Sequence, residues 1–335
     1  MDTCISKGKS TKIKYIAVIM MIILHLFQNP AREYVSLMKI NGCPIENIII
    51  KFCSLCVGIF VFLSGYGMAK KYNEGVTYKT ILKKIVKFYI NYWLIFLLFI
   101  PIGIAMGIIK FDLKRIVLNF LAIESNYNYE WWFVALYVQL LLIFPILNKC
   151  LNIVKVKQKK FWVYIISLII SIAAKGIYKI YIENTLIRFF LPIFIYQFVF
   201  INGIIIAKNG IFNIIQKKIT LNNKMKMKLF LLMLSFIMTI MGCIPILGKI
   251  INPILTPVWI YFLAQIIREP KSVKIYKSST NVWLIHTFFT TYYFPDVIWN
   301  VKYSVLIVIW TVILTTFISM ILDRILEQIN RALNI

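Results

Sequence analysis

The sequence predicts an all-α integral membrane protein, a polytopic bundle of about ten transmembrane helices with both termini in the cytoplasm. Three observations predict it. Hydrophobic residues make up 61% of the 335 and charged residues only 15%, too apolar for a soluble domain, in which about a quarter of residues are charged. Apolar stretches of about 20 residues recur along the chain, enough to cross about 30 Å of hydrocarbon as helices. The formal charge of +26 is gathered into alternate loops. A disordered basic tail would be poor in apolar residues, and a nucleic-acid binder would be basic without this apolar content. No nucleic-acid partner is therefore expected; the expected surroundings are lipid.

The spans follow in order. The first, 14–28, is short and preceded by lysines. Lysines ahead of the 13-residue run Tyr15–Phe27 have the outline of a secretion signal. Gln28-Asn29-Pro30 follows where a small-x-small cleavage site would be needed, and His25 sits within the run, so the segment reads as a retained helix. The second span is 48–69 and the third 88–109. The fourth, 131–148, opens on two tryptophans, and the fifth, 161–180, carries Lys175 near its end. The sixth is 186–207. The seventh, 229–248, and the eighth, 250–267, are separated by a turn expected at Leu247–Pro253. The ninth, 281–298, and the tenth, 303–322, complete the set. None alternates with period two, which excludes a barrel.

Charge fixes the expected orientation. With ten spans and an inside N-terminus, 27 Lys and Arg fall on the inside and 11 on the outside, the bias of cytoplasmic loops in membrane proteins. The inside loops include 70–87, 149–160, 208–228 and 268–277. No internal repeat and no separate soluble domain is visible, so the chain reads as one transmembrane domain, 1–335, in the cell membrane. The six cysteines form no framework. Cys53 and Cys56 make a C-x-x-C inside a span, one helical turn apart, where loop geometry for redox or metal chemistry is missing. No Walker motif, dinucleotide glycine pattern or zinc spacing occurs, so no bound metal or cofactor is expected.

Ionisable groups inside a membrane are costly and mark function by default. The chain has two histidines, His25 and His286, and both fall in spans. Lys14 and His25 are 11 residues apart, about 16 Å and three turns of helix, so they share a face. Lys14 is then at the cytoplasmic boundary and His25 slightly past mid-membrane. His286 lies about 12 Å deep from the same side. If their helices adjoin, the imidazoles line one cavity, and an imidazole in a cavity suits proton transfer near neutral pH. Glu130, beside Trp131 and Trp132, is the carboxylate at the outer start of the fourth span; an interfacial aromatic belt is the plain alternative for this cluster.

Phe62–Lys71 ends the second span with Ser64-Gly65 followed by lysines. Ser and Gly allow either close helix approach or local unwinding, and unwound backbone binds phosphate through free N–H groups. Downstream, Lys83, Lys84 and Lys87 share one helical face. That face suits either an anionic, phosphate-bearing ligand or anchoring to anionic lipid.

Together these pieces resemble the acyltransferase-3 family of integral membrane acyltransferases, which includes bacterial O-acetyltransferases of peptidoglycan, capsule and lipopolysaccharide sugars. The resemblance lies in Lys14 through His25, in Phe62–Lys71, in Glu130-Trp131-Trp132-Phe133 with Leu136 and Gln139, and in Trp283-Leu284-Ile285-His286. Lys14 and the lysines at 83–87 stand where the family usually has Arg, which keeps the charge and loses the planar fork; Trp283 stands where Tyr is commoner.

The resemblance implies a cytoplasmic acyl-CoA donor, acetyl-CoA first, as co-substrate and a hydroxyl of a cell-surface or lipid-linked glycan as acceptor. Lys14, Ser64, Gly65, Lys83, Lys84 and Lys87 would hold the donor. His25 would be the general base or a transient acyl carrier, and His286 would orient it or line the cavity. Glu130, Trp131 and Trp132 would face the acceptor. The rival reading is a transporter or flippase for a lipid-linked sugar or small polar solute, against which stand the missing inverted repeats and the scarcity of intramembrane acids. A non-catalytic scaffold leaves the two histidines unexplained.

Overall fold

Small polar residues set where the helices begin. Ser6, Thr77, Asp112 and Asn184 each accept a backbone N–H two or three residues ahead, which satisfies donors that a helix start leaves orphaned. The computed structural model describes residues 4–72, 75–153, 157–180, 184–218 and 224–333.

The first helix, α1 (Lys7–Gln28), leads to a hairpin of β1 (Lys39–Ile40) and β2 (Cys43–Pro44), with Ile40 opposite Cys43. Then come α2 (Glu46–Cys53), α3 (Cys56–Lys71), α4 (Tyr78–Ala105), α5 (Leu113–Phe120) and a 3-10 turn, Tyr129–Trp131, that runs into α6 (Trp132–Ile153). They are followed by α7 (Lys157–Ile180), α8 (Thr185–Lys208), α9 (Ile211–Lys218), α10 (Lys224–Cys243) and α11 (Pro245–Ile266). The chain closes with α12 (Lys274–Lys277), α13 (Ser279–Thr287), a π-helical turn Phe288–Tyr292, α14 (Pro295–Trp299) and α15 (Ser304–Ala332).

The protein is an all-α polytopic membrane protein. Among the described residues nine segments are long and apolar enough to cross a bilayer. The ninth expected span, 281–298, is not among them. It is divided into α13, the π turn and α14, with a break at Phe294. Parts of the expected inside loops 149–160 and 208–228, at 154–156 and 219–223, lie outside the described residues.

Three further expectations change. The first helix starts at Lys7, not at residue 14, because Ser6 caps it. Lys14 is therefore two turns inside the helix, and His25 is in its last turn. The second span runs over Glu46–Lys71 but is kinked: α2 stops at Cys53 and α3 starts at Cys56, so the C-x-x-C straddles a kink at Ser54–Leu55. No turn occurs at Leu247–Pro253. The chain turns at Cys243–Pro245, and Pro253 lies inside α11. A proline there cannot donate to the carbonyl four residues back, that of Lys249. The Lys175 ammonium supplies the missing donor, 2.6 Å from the Lys249 oxygen.

The core is centred on α3 and α8. A Cβ on Gly65 would stand 2.3 Å from the Phe200 oxygen, and one on Gly203 would stand 2.4 Å from the Phe62 oxygen. Only glycine at both positions lets the two backbones meet. α7 and α10 pack on the periphery and expose Ile169, Leu232 and Phe236. α1 and the α12–α13 pair run side by side in one register. Tyr15 meets Tyr276 at 5.6 Å, and ten residues further along both helices His25 meets His286 at 5.1 Å between ring centroids. Asp323 of α15 fixes the start of α13 by accepting from Ser278 Oγ at 2.6 Å and Asn281 Nδ2 at 2.7 Å. At the far ends, Arg32 pairs with Asp296 at 2.9 Å, and the buried Glu46 accepts from Ser36 and from the Leu37 N–H.

Candidate active site

α1 carries His25 in its last turn and α13 carries His286 as its penultimate residue. Their parallel register brings His25 Nδ1 to 2.8 Å from His286 Nε2. Glu130 enters from the 3-10 turn before α6, with Oε2 3.1 Å from His25 Nε2. Asn128 holds that turn in place. Its Oδ1 accepts the Glu130 N–H at 3.1 Å, and its Nδ2 donates to Thr287 Oγ1 at 2.8 Å, next to His286. His286 is fully buried, and its Nδ1 lies 2.7 Å from its own helix's Trp283 oxygen. The π turn immediately after α13 is a feature found often at functional sites.

The proton positions follow from what each atom can do. A carbonyl only accepts, so His286 Nδ1 carries a hydrogen. Neutral His286 then has a lone pair at Nε2, to which His25 Nδ1–H donates. His25 Nε2 is left against a carboxylate oxygen. That contact is a hydrogen bond only when the trio holds one proton beyond a carboxylate and two neutral imidazoles. The proton satisfies every contact whether it sits on Glu130, on His25 or, with the His25 hydrogen moved to Nε2, on His286. Remove it, and the His25 Nε2 lone pair faces the Glu130 carboxylate without a hydrogen between. The trio is thus a line of three stations for one proton, and its empty form is a base.

His25 and Glu130 border a cavity of about 200 Å³. Its walls are apolar and aromatic, with Phe60, Trp132, Phe133 and Trp283 among them, and Ser54, Cys56 and Tyr196 add polar atoms. Trp132 stands against Tyr196 at 5.8 Å.

The structure places the other expected site residues as follows. Trp131 does not face outward. It is 1% exposed, its Nε1 donates to the Leu284 oxygen at 3.0 Å, and Tyr92 and Phe288 pack edge-on against it. The 3-10 turn rotates it into the bundle while its neighbour Trp132 reaches the cavity. Ser64 and Gly65 do not unwind α3. Ser64 Oγ donates to the Phe60 oxygen one turn back, and Gly65 is where α3 meets α8. With the helix continuous, the unwinding expected there does not occur, and no free N–H group is left at that point for a phosphate. Lys14 is within electrostatic reach of Tyr137 and Lys84. Lys83, Lys84 and Lys87 border a cleft of about 740 Å³ together with Lys71 and Lys79, and Lys84 Nζ also touches Met68 Sδ at 2.9 Å.

Sequence reasoning missed Asn128, Tyr196, Ser54 and the Trp283 carbonyl. Asn128 had a signal, since an Asn just before an acidic residue and a helical run is an N-cap pattern. The others had none, because they are ordinary residues until a kink or a neighbouring helix brings them to the cavity.

Fold and site define a multi-pass helical membrane protein with a His-His-Glu line that runs from the fully buried His286 to the cavity edge. The acyltransferase-3 family model, described as an acyltransferase domain, matches residues 13–324. The chain belongs to that family and is a membrane acyltransferase. No curated protein and no solved structure matches it.

Proposed function

We propose that this protein moves an acetyl group from acetyl-CoA to a hydroxyl of a cell-surface or lipid-linked glycan, in the cell membrane, with the face that bears its N-terminus in the cytoplasm. The observation that carries this reading is the His25–His286–Glu130 line on a small, largely apolar cavity in an acyltransferase. The basic loops on the N-terminal face support the orientation. Support for a sugar acceptor comes from the family resemblance and from the aromatic walls beside Glu130.

In this mechanism the acceptor hydroxyl enters the cavity while Glu130 is ionised and both imidazoles are neutral. His25 Nε2 takes the hydroxyl proton as oxygen attacks the thioester carbonyl. The imidazolium so formed donates from Nδ1 to His286 and from Nε2 to Glu130, so its charge develops between a ready acceptor and a ready anion. Collapse of the tetrahedral intermediate breaks the C–S bond, and the proton leaves with the CoA thiol. A proton taken up at Nε2 completes the contact with Glu130, whereas an acyl group there would break it, which favours a general base over an acyl carrier. General-base assistance of this kind contributes about 10²–10⁴ in rate.

The test is transfer of radiolabelled acetyl groups from acetyl-CoA in membranes holding the protein. Label appears in a glycan fraction with the wild type and is lost with His25→Ala inserted at equal level. A transporter gives no label in either case. Full transfer by a normally inserted His25→Ala protein sinks the proposed role of His25.

A further inference from the structure

A recess of about 950 Å³ opens on the N-terminal face between α4, α12 and α15. Lys87, Lys274, Lys277, Arg324 and Arg331 converge on it. Among the described residues none of these five has a carboxylate within ion-pair distance. Two carboxylates, Asp323 and Glu327, border the recess as well; the Asp323 oxygens accept from Ser278 and Asn281, and the cations still outnumber the acids. Asn330, also on the wall, has a buried Oδ1 with no partner. The surplus of cations over acids on one concavity favours an entering anion, and the volume is that of a cofactor-sized ligand.

The recess is joined to the imidazoles by a single helix line. Lys277 precedes His286 by nine residues, about 13 Å of helical rise, and α1 runs beside it to His25. The lysine cleft on the other side of α4 shares only Lys87 with this recess.

We propose that this recess binds the phosphorylated nucleotide of the acyl donor, with Lys274, Lys277, Arg324 and Arg331 on the phosphates and the Asn330 carbonyl oxygen accepting from a nucleoside hydroxyl or amine. The inference rests on the acyl-CoA reading given above. Phosphate is also the chemistry of lipid headgroups, so the experiment separates the two sources.

The experiment uses the full chain, purified and reconstituted in phosphatidylcholine, with or without phosphatidylglycerol, and adenosine 3′,5′-bisphosphate as the probe. Wild-type protein binds the probe in both lipids and is raised in melting temperature by it. Lys277→Gln and Arg324→Gln each weaken binding about tenfold, as loss of one charge-assisted contact does, and raise KM for acetyl-CoA with kcat unchanged. Lys277→Arg restores binding to near wild type, which separates loss of a contact from misfolding. Lys224→Gln, on the same face outside the recess, changes neither binding nor KM. Equal weakening by Lys224→Gln, or recess variants that bind and transfer like wild type, overturns the recess. So does probe binding that vanishes in phosphatidylglycerol, which makes the recess a headgroup site. If wild-type protein neither binds the probe nor transfers acetyl, the acyl-CoA reading itself has failed; transfer that survives intact in the recess variants leaves that reading standing and removes the recess alone.

Discussion

His25 Nδ1 and His286 Nε2 lie 2.8 Å apart, with their rings inclined by only 14°. The Trp283 carbonyl fixes the hydrogen on His286 Nδ1 and so makes His286 the acceptor in the pair. A glutamine at 286 can offer its amide oxygen in the same direction; an alanine cannot. His286→Ala is expected to lower kcat about 10²-fold, and His286→Gln to stay within about tenfold of wild type, against about 10²–10⁴ for His25→Ala. Steady-state acetyl transfer with equal protein in each membrane preparation checks the order. Equal losses for the alanine and glutamine variants would show that the imidazole at 286 does more than accept.

Glu130 gives a second prediction. A carboxylate accepts the Nε2–H of a His25 imidazolium, whereas a glutamine amide donates to neutral Nε2 and occupies its lone pair. Glu130→Gln is therefore expected to lower kcat at least 10²-fold while KM for acetyl-CoA stays within about twofold. Glu130→Asp keeps the charge on a shorter arm and is expected to fall between the two. Initial rates over a range of donor concentrations separate kcat from KM.

What was legible in the sequence had a physical reason to be so. A bilayer demands apolar helices of fixed length, which makes spans stand out, and a histidine in such a span has no cheap explanation. The ten-residue register shared by Tyr15–His25 and Tyr276–His286 was not legible, because nothing local says which helices adjoin. The inward turn of Trp131 depends on a three-residue 3-10 element whose cap, Asn128, gains its second partner, Thr287, 159 residues away. Ser64 and Gly65 allowed two readings, and the partner glycine that decides between them, Gly203, lies on another helix.

That glycine pair gives a stability prediction. Gly203→Ala places a methyl group against the Phe62 carbonyl oxygen, and Gly65→Ala places one against Phe200. Neither obstacle is the end of a flexible side chain, so α3 and α8 must separate. Each change is expected to cost about 1–3 kcal/mol, seen as earlier thermal unfolding in detergent. Gly67→Ala, two residues along the same helix with nothing within 4 Å of the new methyl, is expected to leave the melting temperature unchanged or to raise it slightly through helix propensity. A Gly67→Ala loss as large as the others would mean that helix packing is not the cause.

Lys175 and Pro253 make the most exacting test, because their effects should cancel. Lys175 Nζ is 2.6 Å from the Lys249 oxygen, the carbonyl that an ordinary residue at 253 would satisfy through its own N–H. Lys175→Met strands that carbonyl and is expected to cost about 1–3 kcal/mol. Pro253→Ala restores the backbone donor and leaves the carbonyl with two candidates. In the Pro253→Ala background, Lys175→Met should therefore cost much less, and the double-mutant cycle should show coupling of about 1 kcal/mol or more. Additive losses would mean that the lysine holds α7 to α11 by charge or packing alone, and that Pro253 is tolerated in α11 for some other reason. Coupling would show that a lysine near the end of one helix is kept there by a proline in another.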